Sequence, residues 1–159
     1  MDDAALKGRC TCGEVVYEMQ DTPLFVHCCH CTWCQRETGS AFVINALIES
    51  AKLAVVSGSA EAIDLSSESG HGQRVYRCPT CRVALWSQYL GAGDLVSFVR
   101  AGTLDNPAAC PPDIHIYTST KLPWVVLPDG VPAMEGFYRR SEMWPEASLV
   151  RRAKALEVG

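Results

Sequence analysis

Short apolar runs separated by polar breaks dominate this chain. EVVYEM (14–19), AFVINALI (41–48), KLAVVSG (52–58), EAIDLS (61–66), QRVYRC (73–78), ALWSQYL (84–90), LVSFVRAGTL (95–104) and IHIYTS (114–119) are rich in Val, Ile, Tyr, Phe and Thr. Gly, Pro, Asp and Ser stand between them, so each run predicts a β-strand bounded by turns. SSESGHG (66–72) predicts a polar hairpin tip. Two segments break the pattern. Thr32 to Thr38 predicts a short helix stopped by Gly39. PEASLVRRAKALE (145–157) predicts a second, with Pro145 suited to its first position and basic residues near its end favouring the helix dipole. No internal repeat, low-complexity tract or composition break divides the chain, so the pattern implies one β-rich domain with a helical tail.

Composition narrows the function classes. The chain has 159 residues, a formal net charge of -4 and a pI near 5.5. That length buries a sizeable core without help from metals. The acidic balance argues against nucleic acid as a partner. No apolar run reaches the roughly 20 residues a membrane helix needs. MDDAALKGRC lacks the basic start and apolar core of a signal peptide, so a cytoplasmic location is expected. There thiols stay reduced, and the nine cysteines point to metal rather than disulfides.

Most of these cysteines fall in clusters: Cys10-x-Cys12, Cys29-x-Cys31-x-x-Cys34 and Cys78-x-x-Cys81, with Cys28 and Cys110 apart. Zinc takes thiolates about 2.3 Å away in a tetrahedral array, and C-x-x-C and C-x-C turns can present two at that range. Two doublets, Cys10/Cys12 and Cys78/Cys81, would close a four-thiolate structural site joining distant segments. The middle cluster offers three thiolates with no obvious fourth ligand, the pattern of an open catalytic or substrate-binding zinc. His27, His30, Cys28 or Cys110 would have to close it. His30, lying between two ligands, is expected to point away, His27 to belong to the preceding strand, and Cys28 to be a small core thiol. Three thiolates around a divalent ion leave a centre near -1. Such a centre suits a soft thiolate ligand better than it suits making hydroxide.

GRCTCGEVVYE (8–18), CHCTWCQRETGSAF (29–42), RVYRCPTCRVALW (74–86) and AGTLD…PDIHIYTSTKLPW (101–124), in that order, resemble the glutathione-dependent formaldehyde-activating family, which includes centromere protein V. The resemblance implies a mainly β, zinc-binding fold of hairpins and a curved sheet, shared with a Rab exchange-factor superfamily. It covers a domain over residues 6–125. The uncovered C-terminal extension over 126–159 is expected to pack on that domain or on a partner subunit, which makes it a candidate homodimer element. The resemblance implies a carbon–sulfur lyase joining glutathione and formaldehyde into S-hydroxymethylglutathione. It also implies Cys10, Cys12, Cys78 and Cys81 as ligands of a structural zinc, and Cys29, Cys31 and Cys34 as ligands of a second zinc. Arg82 stands where the family usually has Gly, which predicts a slightly different turn. Gln35 leaves only Arg36 of the commoner basic pair.

Glutathione carries two carboxylates and an ammonium, so its site should offer donors and positive charge. Arg36 is a candidate carboxylate partner and His115 a candidate acid–base or metal-supporting group. Lys121 shares the family-like stretch with His115. Trp33 is placed to wall the site, Thr38 and Ser40 to donate or to cap, and Trp86 and Trp124 to join the core. Two other classes compete with the enzyme: a zinc-stabilised interaction module, and a redox sensor whose three-thiolate cluster releases metal on oxidation.

Overall fold

The computed structural model describes residues 5–158. Ten strands form two sheets. A small antiparallel sheet is ordered β1 (Leu6–Arg9), β2 (Val16–Met19), β5 (Leu53–Ser57). The large sheet contains β3 (Phe25–Cys29), β4 (Val43–Glu49), β6 (Glu61–Leu65), β7 (Gln73–Arg77), β8 (Ala84–Tyr89), β9 (Val96–Arg100) and β10 (Ile114–Ile116). Its order is β10-β3-β4-β9-β8-β7-β6, antiparallel except where β10 runs parallel to β3. Helix α1 (Thr32–Thr38) follows β3, and α2 (Arg140–Met143) and α3 (Glu146–Val158) end the chain.

The eight expected strands are present, some shorter than their apolar runs. The last two stop early: a 3-10 turn covers Ala101–Thr103, and Tyr117 turns to φ 54 before another at Thr118–Thr120. Residues 66–72 do link the β6–β7 hairpin. In β1, Gly8 is required by close approach, since a Cβ there would lie 2.3 Å from the Tyr17 ring.

The central strands of the large sheet are covered on both faces. Along β4, Ile44, Ala46 and Ile48 face one apolar cluster, while Val43 and Leu47 face another. A strand buried on both sides reads as a continuous apolar run, as 41–48 does. The first cluster packs Val26, Val99 and Trp86 against Tyr17 and Met19 of the small sheet, with Cys10 and Cys78 at its edge. The second packs Phe25, Phe98, Ile114 and Ile116 against Met134, Tyr138, Trp144 and Leu149 from the C-terminal segment. That segment is also tied by backbone bonds: His115 N–H donates to Pro132 O (2.8 Å), and Met134 N–H to His115 O (2.9 Å).

Two expectations are corrected. Trp124 is 71% exposed, whereas Trp86 is buried. The last turn of α3 carries no basic residue. Arg151, mid-helix, instead donates from Nε and Nη2 to both Glu49 carboxylate oxygens (2.9 and 2.7 Å), latching the helix to β4.

Candidate metal centres and cavity

The two distant doublets meet. One ligand atom from each of Cys10, Cys12, Cys78 and Cys81 lies within 4.8 Å of the others. Cys12 Sγ sits 3.5 Å from Cys10 Sγ and 3.6 Å from Cys78 Sγ. Sulfurs sharing a tetrahedral zinc would be about 3.8 Å apart, so this set fits such an ion. The turns that present them are alike. Cys10 N–H donates to Val15 O (3.1 Å) and Cys78 N–H to Val83 O (3.0 Å), bending each strand end into a knuckle. Arg82 does not change the turn as expected. It adopts φ 66 itself, in the left-handed region where the family's glycine is at ease, and its N–H donates to Cys78 O (3.0 Å). Its guanidinium is held outside by Glu61, 2.6 Å away. Backbone N–H groups of Cys12 and Val83 pull the Cys81 thiol down to about 6.

On the other face of the large sheet, Cys29, Cys31 and Cys34 form a second group within 4.8 Å, all buried. Cys29 ends β3, and Cys31 is the N-cap of α1, its sulfur accepting from the Cys34 N–H at 3.3 Å. Gly39 ends that helix at φ 64, its N–H donating to Gln35 O. Cys31 is lowered to about 3, first because Cys29 and then Cys34 hydrogen-bond to its thiolate. Cys29 is correspondingly raised by its bonds to Cys31 and Cys34 and by burial. Unassisted, the trio therefore holds about one negative charge. A divalent ion would strip the remaining protons.

Among the described residues no fourth His, Cys, Asp or Glu joins this trio. Cys110 is buried in the opposite cluster. Cys28 and His30 belong to a separate group with His115. There His30 Nε2 lies 2.9 Å from His115 Nδ1 and 3.6 Å from Cys28 Sγ. Two nitrogens sharing a zinc would sit about 3.3 Å apart, so the histidines are spaced as a hydrogen-bonded pair, although the group could hold an ion. Strand alternation explains the split. Cys28 pairs with His115 across β3 and β10 on the face away from Cys29.

The trio opens on a cavity of about 380 Å³. Its apolar wall includes Tyr89, Phe98, Ile116, Tyr117 and Phe137, with Trp33 beside the sulfurs. Glu68, Ser69 and His71 of the hairpin tip and Arg140 of α2 line it as well. Of the residues singled out from the sequence, Trp33 does wall the site. Arg36 is exposed and His115 buried, and neither lines the cavity. Thr38 instead caps locally, its Oγ1 donating to Cys34 O (2.8 Å). Ser40 is exposed and outside the cavity lining. Lys121 is spent on Leu122 O and Val125 O.

A polar row on this face had no signal along the chain. His27, Asn45 and Arg100 are register partners across β3, β4 and β9, and all are buried. Arg100 Nη1 donates to Asn45 Oδ1 (2.5 Å), its Nε has no partner, and no carboxylate pairs with it among the described residues. A buried guanidinium without a counter-charge is strongly unfavourable. The Cys34 thiol is held down by its bond with Cys29 but raised to about 12 overall by Cys31 and by burial, and Arg100 adds the smallest pull, toward the thiolate. Burial, and then the charge of Arg140, push His27 down to about 3, leaving a neutral imidazole.

A family profile described as glutathione-dependent formaldehyde-activating enzyme matches residues 5–120. The chain belongs to this family. The family fold accords with the mainly β architecture and its cysteine clusters, which could hold metal ions. No curated protein matches the chain. A crystal structure of a Rhodobacter sphaeroides protein is similar at 20% identity, covering 80% of this chain and 98% of that one, with a TM-score of 0.47. Among the described residues no helix is long and apolar enough to cross a membrane. Phe137 and Arg140 line the cavity from beyond the matched region, so this chain's tail helps shape the site.

Proposed function

We propose that the chain is a zinc-dependent carbon–sulfur lyase acting on glutathione or a related thiol and a small aldehyde. The observation that carries this reading is the buried sulfur trio, with no fourth ligand among the described residues, opening on an apolar-walled cavity. Membership of a formaldehyde-activating family supports it. Cys10, Cys12, Cys78 and Cys81 hold a structural zinc, and Cys29, Cys31 and Cys34 hold the second. When bound, the second ion supplies a soft electrophilic position that favours the thiolate form of a substrate sulfur.

The chain's own groups do the rest. Arg100 balances the anionic sulfurs. Arg140, with His71 nearby, meets a substrate carboxylate at the cavity, where a guanidinium can bind both oxygens. Phe98, Tyr89 and Phe137 exclude water around the reacting carbon, which strengthens polar interactions there. Residues 6–125 form the zinc-binding unit, and the 126–159 extension completes the cavity wall. Exchange NMR with ¹³C-formaldehyde and glutathione tests this. Catalytic amounts of zinc-loaded protein should speed exchange between the free aldehyde and the S-hydroxymethyl adduct. An exchange rate unchanged by the protein would contradict it.

A further inference from the structure

Resting on that reading of the cavity, we propose that His27 and Asn45 are an oxyanion-binding pair for the aldehyde. Both are buried polar groups on an otherwise apolar face. Each is oriented by a partner that can act in only one way. Arginine has donors and no acceptor, so Asn45 must turn Oδ1 to Arg100 (2.5 Å), and its amide Nδ2 is left as the free donor. Indole also only donates, and Trp144 Nε1 gives its hydrogen to Tyr138 Oη at 2.7 Å. Tyr138 in turn contacts His27 Nε2. Among the described residues the Tyr138 hydroxyl has no acceptor other than Nε2, so it is assigned as the donor there. The imidazole proton then sits on Nδ1.

His27 and Asn45 are directly opposite across β3 and β4, and both line the cavity that holds the three sulfurs. Cys29 is two residues beyond His27 on the same strand and the same face. Two donors therefore stand side by side in the cavity that the three sulfurs also line. Neither has a protein acceptor for its free hydrogen among the described residues. Donors fixed in advance and shielded from water are the usual device for charge that appears only in the transition state.

The step balances. The substrate thiol has given its proton to water on becoming a thiolate. Its sulfur lone pair forms the new C–S bond as the carbonyl π pair moves onto oxygen. The oxygen accepts from His27 Nδ1–H and Asn45 Nδ2–H, then takes a proton from water, giving the hydroxyl of the hemithioacetal. The reverse path breaks the same bond. Tyr138, Trp144 and Arg100 are positioning residues, since they hold the donors without reaching the carbonyl.

The test uses the zinc-loaded full chain and three readouts. Long-range ¹H–¹⁵N spectra report the His27 tautomer without turnover. Nδ1 protonated is expected, and an Nε2–H ring overturns the proposal whatever the activity. His27→Phe suits the surrounding Phe25, Phe98 and Phe137, and Asn45→Asp keeps an acceptor for Arg100 while removing the amide donor. Each should lower the catalysed exchange rate about 10²-fold. His27→Phe should leave glutathione affinity at the cobalt-substituted centre unchanged. Variants that fold and turn over like wild type overturn the pair while leaving the lyase reading intact. A wild type that does not accelerate the exchange overturns the lyase reading and this pair with it.

Discussion

Arg100 is the residue whose situation most constrains the chemistry. Its charge is buried, with the Asn45 amide as its one side-chain hydrogen-bond partner among the described residues. Removing that charge should have opposite effects in the two metal states. Arg100→Met should raise the melting temperature of metal-free protein, because the buried guanidinium is lost and the trio, with no metal, can take up a proton in its place. It should weaken metal binding at the trio by about 10–100-fold, the range found when groups supporting a metal site are removed. Melting curves with and without zinc check both signs, and destabilisation in both states would mean Arg100 is purely structural. A second contrast separates the clusters. A structural zinc contributes on the order of 10 kcal/mol, comparable to the roughly 5–15 kcal/mol stability of a whole domain. Cys78→Ser should therefore yield little cooperatively folding protein. Cys31→Ser should fold, because its ligand loop is local and the face beneath it is apolar. Equal loss in both variants would contradict the division of roles.

At the scale of elements, the latch between α3 and β4 sets an acid limit on the tail. Burial tends to raise the Glu49 carboxyl, but the two-oxygen bond to Arg151 overcomes this and holds it below its ordinary range. A folded value below the unfolded one stabilises the protein above the unfolded value, about 4.3, and this is lost as pH falls through the folded value. Acid should thus loosen α3 before the sheet. Glu49→Gln should remove about 1–3 kcal/mol at neutral pH and flatten that acid dependence. Urea melts followed by helical circular dichroism at several pH values check it, and an unchanged acid slope in the variant would rule the latch out. Strands and the α1 stop were legible because alternation, apolar runs and Gly39 are local signals. β1, with Lys7, Gly8 and Arg9 in four residues, and β3, with His27 at its centre, carry weak strand signals of their own. The row His27–Asn45–Arg100 was invisible for a different reason. It exists only through the register of three strands far apart in the chain. Arg36 and His115 drew notice by lying near motifs, but α1's exposed side and strand alternation turn them away from the cavity.

For the whole molecule, the arrangement is one sheet with a cysteine centre toward each face. The closed set joins the small sheet to the β7–β8 turn, and the trio opens beneath the C-terminal segment. The proposed structural and catalytic roles thus fall on opposite sides of β3, β4 and β9. The central claim is that the trio holds an ion whose fourth position a thiol substrate takes. Cobalt substitution reads this directly, because thiolate charge-transfer absorption grows with each bound sulfur. Titrating glutathione into the cobalt protein should add absorption at one of two sites. S-methylglutathione, which has no thiol to ionise, should add none. Absorption unchanged by millimolar glutathione would contradict the account.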